Sequence, residues 1–284
     1  MRRSRNTVFG RDPRSPAFSE KPGFFRPPLL AVDIGNHQVK LGFFPAATGR
    51  GLPQPAQIWK LPTSEADFES LAAALPCESL VWCAATVHRQ AERHLAVWVQ
   101  NHRPRDRYRL LRNRDLPLEI HVEQPRRVGT DRLLAAVAVN RLRAANRPAI
   151  VVDAGTAITV DLVSATGAFE GGVILPGFRL IAKALAEGTD LLPQVDYDPA
   201  GEVPPAVGKS TSAAIRSGLF WGQVGAVREL VRRIADELDS QPQLFVAGGD
   251  AARLAAFLPR ARVVPELVLA GIALCARSSS HRQT

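Results

Sequence analysis

The sequence predicts an α/β fold of two related halves, and two observations carry that prediction. First, one motif occurs twice: an apolar strand ending in aspartate, then glycine and a polar residue, then a second apolar strand. The first copy is Leu29-Leu30-Ala31-Val32-Asp33-Ile34-Gly35-Asn36-His37, running on through Val39 to Phe44; the second is Ala149-Ile150-Val151-Val152-Asp153-Ala154-Gly155-Thr156-Ala157, running on through Val160 to Val163. Second, helical and extended patterns alternate between and after the copies. In each copy the apolar, β-branched run reads as a buried strand, and glycine permits a tight turn whose backbone N–H groups can face an anion. The aspartate at the strand end can hold a metal over that anion. Two such hairpins facing each other across a cleft would grip a nucleotide triphosphate from both sides.

Taken in order, Glu65 to Ala74 reads as a short helix, Leu80 to Ala84 as a strand, and His88 to Gln100 as an amphipathic helix with Leu95 and Val99 on one face. Tyr108 to Leu111 and Leu118 to Val122 read as short strands. Gln124-Pro125 breaks the pattern, and Gly129 to Asn146 follows as a helix with Leu133, Leu134, Val137 and Leu142 inward. After the second hairpin come a strand over Phe169 to Leu175, a helix over Phe178 to Ala186 and a loop over Gly188 to Gly208. A long helix runs from about Thr211 to Leu238, and the strand Leu244 to Ala247 ends in Gly248-Gly249-Asp250 before another helix.

The chain has 284 residues and 46% hydrophobic content, enough for two cores. The expected domains are 29–124 and 125–278, with a basic extension over 1–28 and a tail over 279–284. No apolar stretch is long enough to span a bilayer, and the polar, Pro-rich sequence after Arg2 and Arg3 argues against an export signal. A cytoplasmic protein is expected. Cys77, Cys83 and Cys275 show no zinc spacing and read as reduced, buried thiols. Over half of the net charge of +9 sits in residues 1–26, where Arg2, Arg3, Arg5, Arg11, Arg14, Lys21 and Arg26 face only Asp12 and Glu20. That stretch reads as a disordered extension, or as the product of a start codon placed too far upstream. The arginines from Arg89 to Arg114 have few interleaved aromatics and read as a solvated face, which argues against a nucleic-acid groove.

Five ordered motifs carry a resemblance to a known family. Asp33-Ile34-Gly35-Asn36, Gly129-Thr130-Asp131-Arg132, Asp153 to Asp161, Gly171-Gly172-Val173-Ile174-Leu175-Pro176-Gly177 and Gly248-Gly249 occur in the order found in type III pantothenate kinases, and the resemblance covers residues 29 to 276. It implies the duplicated ribonuclease H-like (actin-like ATPase) fold and a homodimer. It also implies transfer of the ATP γ-phosphoryl to the 4′-hydroxyl of pantothenate, the first step of coenzyme A synthesis. The alternatives are a regulatory protein that keeps the kinase fold, or a kinase acting on another small molecule.

Phosphoryl transfer has a loose transition state, so a protein mainly positions the acceptor alcohol and neutralises phosphate charge. Asp33 is the expected Mg²⁺ anchor, through water, because Mg²⁺ keeps several waters and takes one or two carboxylates. Ile34, Gly35, Asn36, His37, Gln38, Val39 and Lys40 form the first ATP-binding hairpin, with Gly35 and Asn36 supplying backbone donors. The resemblance makes Asp131 the acceptor of the hydroxyl proton, although Thr130 and Asp131 also read as an N-terminal helix cap. Gly129, Thr130, Asp131, Arg132 and Thr211 are expected at pantothenate. Arg132 suits its carboxylate, while Thr211 also reads as the cap of the long helix. The resemblance places Asp153 on a monovalent cation, K⁺ or NH₄⁺, Thr156 on ATP phosphate and Gly248-Gly249 at adenine, while Asp161 could hold a neighbouring loop. Two positions depart from the family pattern: His37 stands where threonine is usual, and His121-Val122-Glu123-Gln124 lacks the family's aromatic substrate contact.

Overall fold

The computed structural model describes residues 28–45, 51–64 and 66–279, so all but the last residue of the basic extension and all but the first of the tail lie outside the described residues. Two five-stranded sheets share one topology. The first has the order β3-β2-β1-β4-β5, with β1 (Leu29–Ile34), β2 (Gln38–Phe44), β3 (Gln57–Pro62), β4 (Val81–Thr86) and β5 (Arg107–Leu110). The second has the order β10-β9-β6-β7-β8, with β6 (Ala149–Ala154), β7 (Ala157–Val163), β8 (Phe169–Pro176), β9 (Gln243–Ala247) and β10 (Arg262–Val263). In each sheet a hairpin extends antiparallel on one side and meets parallel strands on the other. The motif duplication is therefore a duplication of topology.

The helices are α1 (Phe68–Ala74), α2 (Arg89–His102), α3 (Thr130–Leu142), α4 (Phe178–Glu187), α5 (Thr211–Asp236), α6 (Ala251–Ala255) and α7 (Leu267–Ser279). Side chains alternate across a strand, so each sheet buries two faces. Leu30, Val32 and Ile34 pack with α1 and α2 on one outer face, and Ile150, Val152 and Ala154 pack with α5 and α6 on the other. The inner faces, Leu29 and Ala31 in one sheet and Ala149 and Val151 in the other, meet a shared core built on α3 and α7. Residues 133–139 of α3 are all buried, so this helix is apolar all round rather than amphipathic.

Several local expectations change. The first helix starts at Phe68, capped by Asp67, which accepts the Ser70 amide at 3.0 Å; Glu65 lies outside the described residues. The helix expected to reach Asn146 ends at Leu142. Leu118–Val122 is not a ladder strand: Ile120 makes one isolated bridge to Phe169, while Leu118, Ile120 and Val122 pack on the shared core. Cys77 is exposed, whereas Cys83 and Cys275 are buried thiols whose pKa values burial pushes up to about 12. The strands β3 and β10 and the helix α7 were not anticipated.

The two central helices touch backbone to backbone, because a Cβ on Gly271 of α7 would collide with the Leu134 carbonyl of α3. On an exposed helix, Gly→Ala stabilises by about 1 kcal/mol. Here overpacking at about 1–3 kcal/mol outweighs that gain, so Gly271→Ala is expected to lower the melting temperature, as a thermal scan can check.

Candidate active site

Strand parity delivers the acidic residues of the site. Asp33 follows Leu29 and Ala31 on the inner face of β1, and Asp153 follows Ala149 and Val151 on the inner face of β6. Asp131 enters from the first turn of α3, in the layer between the sheets. All three line one cavity of about 620 Å³. Burial pushes Asp33 up to about 7, with the Asp131 charge adding to the shift and Lys40 opposing it. Burial also pushes Asp153 up to about 6, with Lys40 again opposing and Asp131 adding. Lys40 stands opposite Asp33 on β2, and Lys60 stands opposite Lys40 on β3.

The two hairpin tips approach each other. Gly35 N–H donates to the Gln38 carbonyl at 3.0 Å and Gly155 N–H to the Ala157 carbonyl at 3.0 Å, so a glycine amide closes each turn and the second turn is one residue shorter. His37 Nδ1 lies 3.1 Å from Thr156 Oγ1, linking the tips across 119 residues of chain. Buried Thr63 braces the first tip by donating its hydroxyl to the Gly35 carbonyl at 2.9 Å. The second tip rests on Gly177, whose N–H donates to the Thr156 carbonyl at 2.9 Å; a side chain there would strike the backbone of Gly155 and Thr156. Gly248 has φ +91°, and a Cβ there would lie 2.5 Å from Asp153 Oδ1. Only glycine gives both that conformation and that room.

The cap of α3 is Gly129, without a side-chain cap bond, rather than Thr130 or Asp131. Asp131 Oδ1 accepts the Arg132 amide at 2.8 Å. Arg132 Nε donates to both oxygens of Asp161, at 3.0 and 3.1 Å, and Nη2 closes the pair. The guanidinium also lies 5.4 Å from the Phe169 ring centroid. Burial raises the Asp161 pKa and Arg132 opposes that shift. Gly172 leaves room for the Asp161 carboxylate, which accounts for one glycine of the Gly171–Gly177 motif.

Asp33, Gly35, Asn36, His37, Gln38, Lys40, Asp131, Arg132, Asp153, Thr156, Gly248 and Gly249 line the cavity. Ile34 and Val39 are fully buried in the outer core of the first sheet, and Gly129 and Thr130 stand just behind Asp131. Thr211 is the exposed first residue of α5, away from the cavity lining; that helix is capped by Ser210, which accepts the Ala213 amide at 3.2 Å. Lys60, Arg179, Lys183 and Glu266 also line the cavity and were missed by the sequence reading. Lys60 sat in the unrecognised strand β3, where the alternation in Gln57-Ile58-Trp59-Lys60-Leu61 was the available signal.

Among the described residues, no group of three or more His, Cys, Asp or Glu side chains is arranged to hold a metal by itself. The carboxylates nevertheless fit a metal carried in on phosphates. Asp33 and Asp153 are half-buried at the cavity wall and repelled by Asp131, so a cation between them and an anionic ligand relieves both desolvation and repulsion.

Residues 29–233 match the type III pantothenate kinase family. The chain belongs to that family. It is 41% identical over 163 residues to the type III pantothenate kinase of Gluconobacter oxydans, 46% over 155 residues to that of Rhodopirellula baltica, and 33% over 264 residues to that of Rubrobacter xylanophilus. These matches cover 57%, 54% and 86% of this chain. The chain spans 58% and 55% of the first two relatives' own length, and 95% of the third's. Among solved structures, it is similar to a protein assigned to the Baf family of transcriptional activators from Campylobacter jejuni, with TM-score 0.55 and 18% identity over 89% of this chain and 99% of that one. It is also similar to a protein described as a 2-dehydro-3-deoxygalactonokinase from Sinorhizobium meliloti, with TM-score 0.52 and 17% identity over 88% and 99%. These two likenesses speak for the fold alone, which is the duplicated ribonuclease H-like architecture expected from the motifs.

The raised carboxylates set a pH dependence. A carboxyl group whose folded pKa exceeds its unfolded value of 3.8 holds more protons when folded, so stability falls as pH rises from about 4 to about 7. The ligand-free protein is expected to melt at a lower temperature at pH 8 than at pH 5.5. Asp33→Asn should flatten that fall and raise the melting temperature at pH 8, as scans of both proteins across this range can check.

Proposed function

We propose that this chain is an ATP-dependent pantothenate kinase, forming 4′-phosphopantothenate and ADP. The observation that carries the reading is the meeting of Asp33, Asp131 and Asp153 in one cavity with both hairpin tips. Backbone N–H groups at the tips, around Gly35-Asn36 and Gly155-Thr156, take the ATP phosphates, with the Thr156 hydroxyl beside them. Gly248 and Gly249 let backbone approach the adenine. Asp33 would hold, through water, a Mg²⁺ brought in on the phosphates, and that ion would supply neutralisation of phosphoryl charge. Asp153 would hold a monovalent cation, K⁺ or NH₄⁺.

Asp131 does the proton work. As the pantothenate 4′-oxygen bonds to the γ-phosphorus and the bond to the β,γ-bridging oxygen breaks, the hydroxyl proton passes to an Asp131 carboxylate oxygen, and ADP leaves with the bond's electron pair. A loose transition state releases the proton late, so a well-placed carboxylate acceptor suffices. Arg132 keeps its Nε and Nη2 on Asp161 and offers Nη1 to the pantothenate carboxylate. His37, already 3.1 Å from Thr156, supplies the phosphate contact that a threonine hydroxyl would otherwise give.

The same reading takes the protein as a cytoplasmic homodimer. No helix among the described residues is long and apolar enough to cross a membrane. The exposed side chains of Ile174 on β8, Leu180 on α4 and Leu191 beyond it offer apolar area for a second copy.

The test is ADP release followed with pantothenate, MgATP and K⁺. Turnover is expected to require pantothenate and to fall by roughly 10²- to 10⁴-fold in Asp131→Asn. Absence of pantothenate-dependent turnover in the wild type would refute the reading in favour of a regulatory protein or another acceptor.

A further inference from the structure

Asp131 has little of its own to hold it in place. Its carboxylate accepts one described hydrogen bond, from the adjacent Arg132 amide. Its position is therefore set by the backbone that enters α3, through the short 3₁₀ turn Pro125–Arg127 and then Val128, Gly129 and Thr130.

One side chain holds that segment at three points, two on its backbone and one on the Thr130 hydroxyl. Asn113 Nδ2 donates to the Pro125 carbonyl at 2.9 Å and to the Val128 carbonyl at 2.8 Å, and its Oδ1 accepts the Thr130 hydroxyl at 2.8 Å. The two carbonyl partners fix which end of the amide is nitrogen, and both of its donors are used. Asn113 is itself anchored. It opens the 3₁₀ turn Asn113–Asp115, which is closed by the Arg112 amide donating to Asp115 Oδ2 at 3.0 Å. Leu111 and Leu116 flank this turn and are buried in the shared core.

The link from the clamp to the carboxylate has little slack. Thr130, which could have capped α3, spends its hydroxyl on Asn113 instead. A Cβ on Gly129 would sit 2.5 Å from Asp131 Oδ1, so the carboxylate packs directly against the clamped segment. Displacing Val128 or Thr130 therefore displaces Asp131.

We infer that Asn113 is a positioning residue for phosphoryl transfer, acting through Val128 and Thr130 to place the Asp131 carboxylate at the acceptor hydroxyl. This rests on the reading of Asp131 as proton acceptor and pantothenate as phosphoryl acceptor. Misplacing a catalytic group by about 1 Å can cost roughly 100-fold in rate.

The test is a double-mutant cycle on the full chain, with kcat for pantothenate phosphorylation and the MgATP dissociation constant measured for the wild type, Asn113→Ala, Asp131→Asn and the double variant. Asn113→Ala is expected to lower kcat by at least about tenfold in the wild-type background and by less than about twofold in the Asp131→Asn background, with MgATP affinity unchanged. Equal losses in both backgrounds, or a matching loss of MgATP affinity, would overturn the positioning role by showing a general structural effect. If Asn113→Ala does not fold, Thr130→Val breaks one of the three contacts and enters the same cycle. A wild type without pantothenate turnover, or an Asp131→Asn variant as active as wild type, would overturn the functional reading and the positioning role together. An additive cycle on an active enzyme overturns the positioning role alone.

Discussion

The structure depends on burying the inner faces of both sheets against one shared helical layer. Leu29, Ala31, Ala149 and Val151 satisfy that burial with apolar side chains, but the next inward position on each strand is a carboxylate, Asp33 or Asp153. Both carboxylates stand half-buried at the cavity wall, and their partial removal from water appears as the upward pKa shifts of both groups. The helices of the layer help at the same place. Both α3 and α7 begin at the cavity, with Asp131 in the first turn of α3 and Glu266 immediately before α7, and helix N-termini favour anions. Positive helix ends and half-buried carboxylates thus face one cleft.

The glycines of the motifs follow from how closely these parts approach. Gly248 gives way to the Asp153 carboxylate, Gly172 to the Asp161 carboxylate that pairs with Arg132, and Gly177 to the tip of the second hairpin. Each lies where a Cβ would meet a functional group or the backbone beside it. The short motifs are therefore one set of close contacts, and the spacing between them is the length of chain needed to reach those contacts.

The two hairpins were legible in the sequence because each carries an uninterrupted buried run with a glycine turn, and both faces of those central strands are apolar. The edges were not. In β3, Gln57, Ile58, Lys60 and Pro62 are all exposed, so burial left little pattern to read. The Leu118–Val122 segment shows strand-like alternation because every second residue packs on the core, yet it finds a partner only at Phe169. The helix α7 lacks a polar face over most of its length, since it lies between α3 and the first sheet, and periodicity cannot mark a helix covered all round. At the site, Asp33, Asp131 and Asp153 were readable from the motifs, whereas Asn113 and Thr63 were not. Their roles come from hydrogen bonds to backbone far away in sequence, and no local pattern announces such bonds.

The most direct measurement is calorimetric binding of ATP to the wild type and to Asp33→Asn, with Mg²⁺ and in EDTA. If the half-buried carboxylates admit phosphates only with a cation, the wild type binds ATP far more weakly in EDTA than with Mg²⁺, and Asp33→Asn narrows that difference. Equal affinity with and without Mg²⁺ in the wild type would contradict the electrostatic organisation on which the site rests.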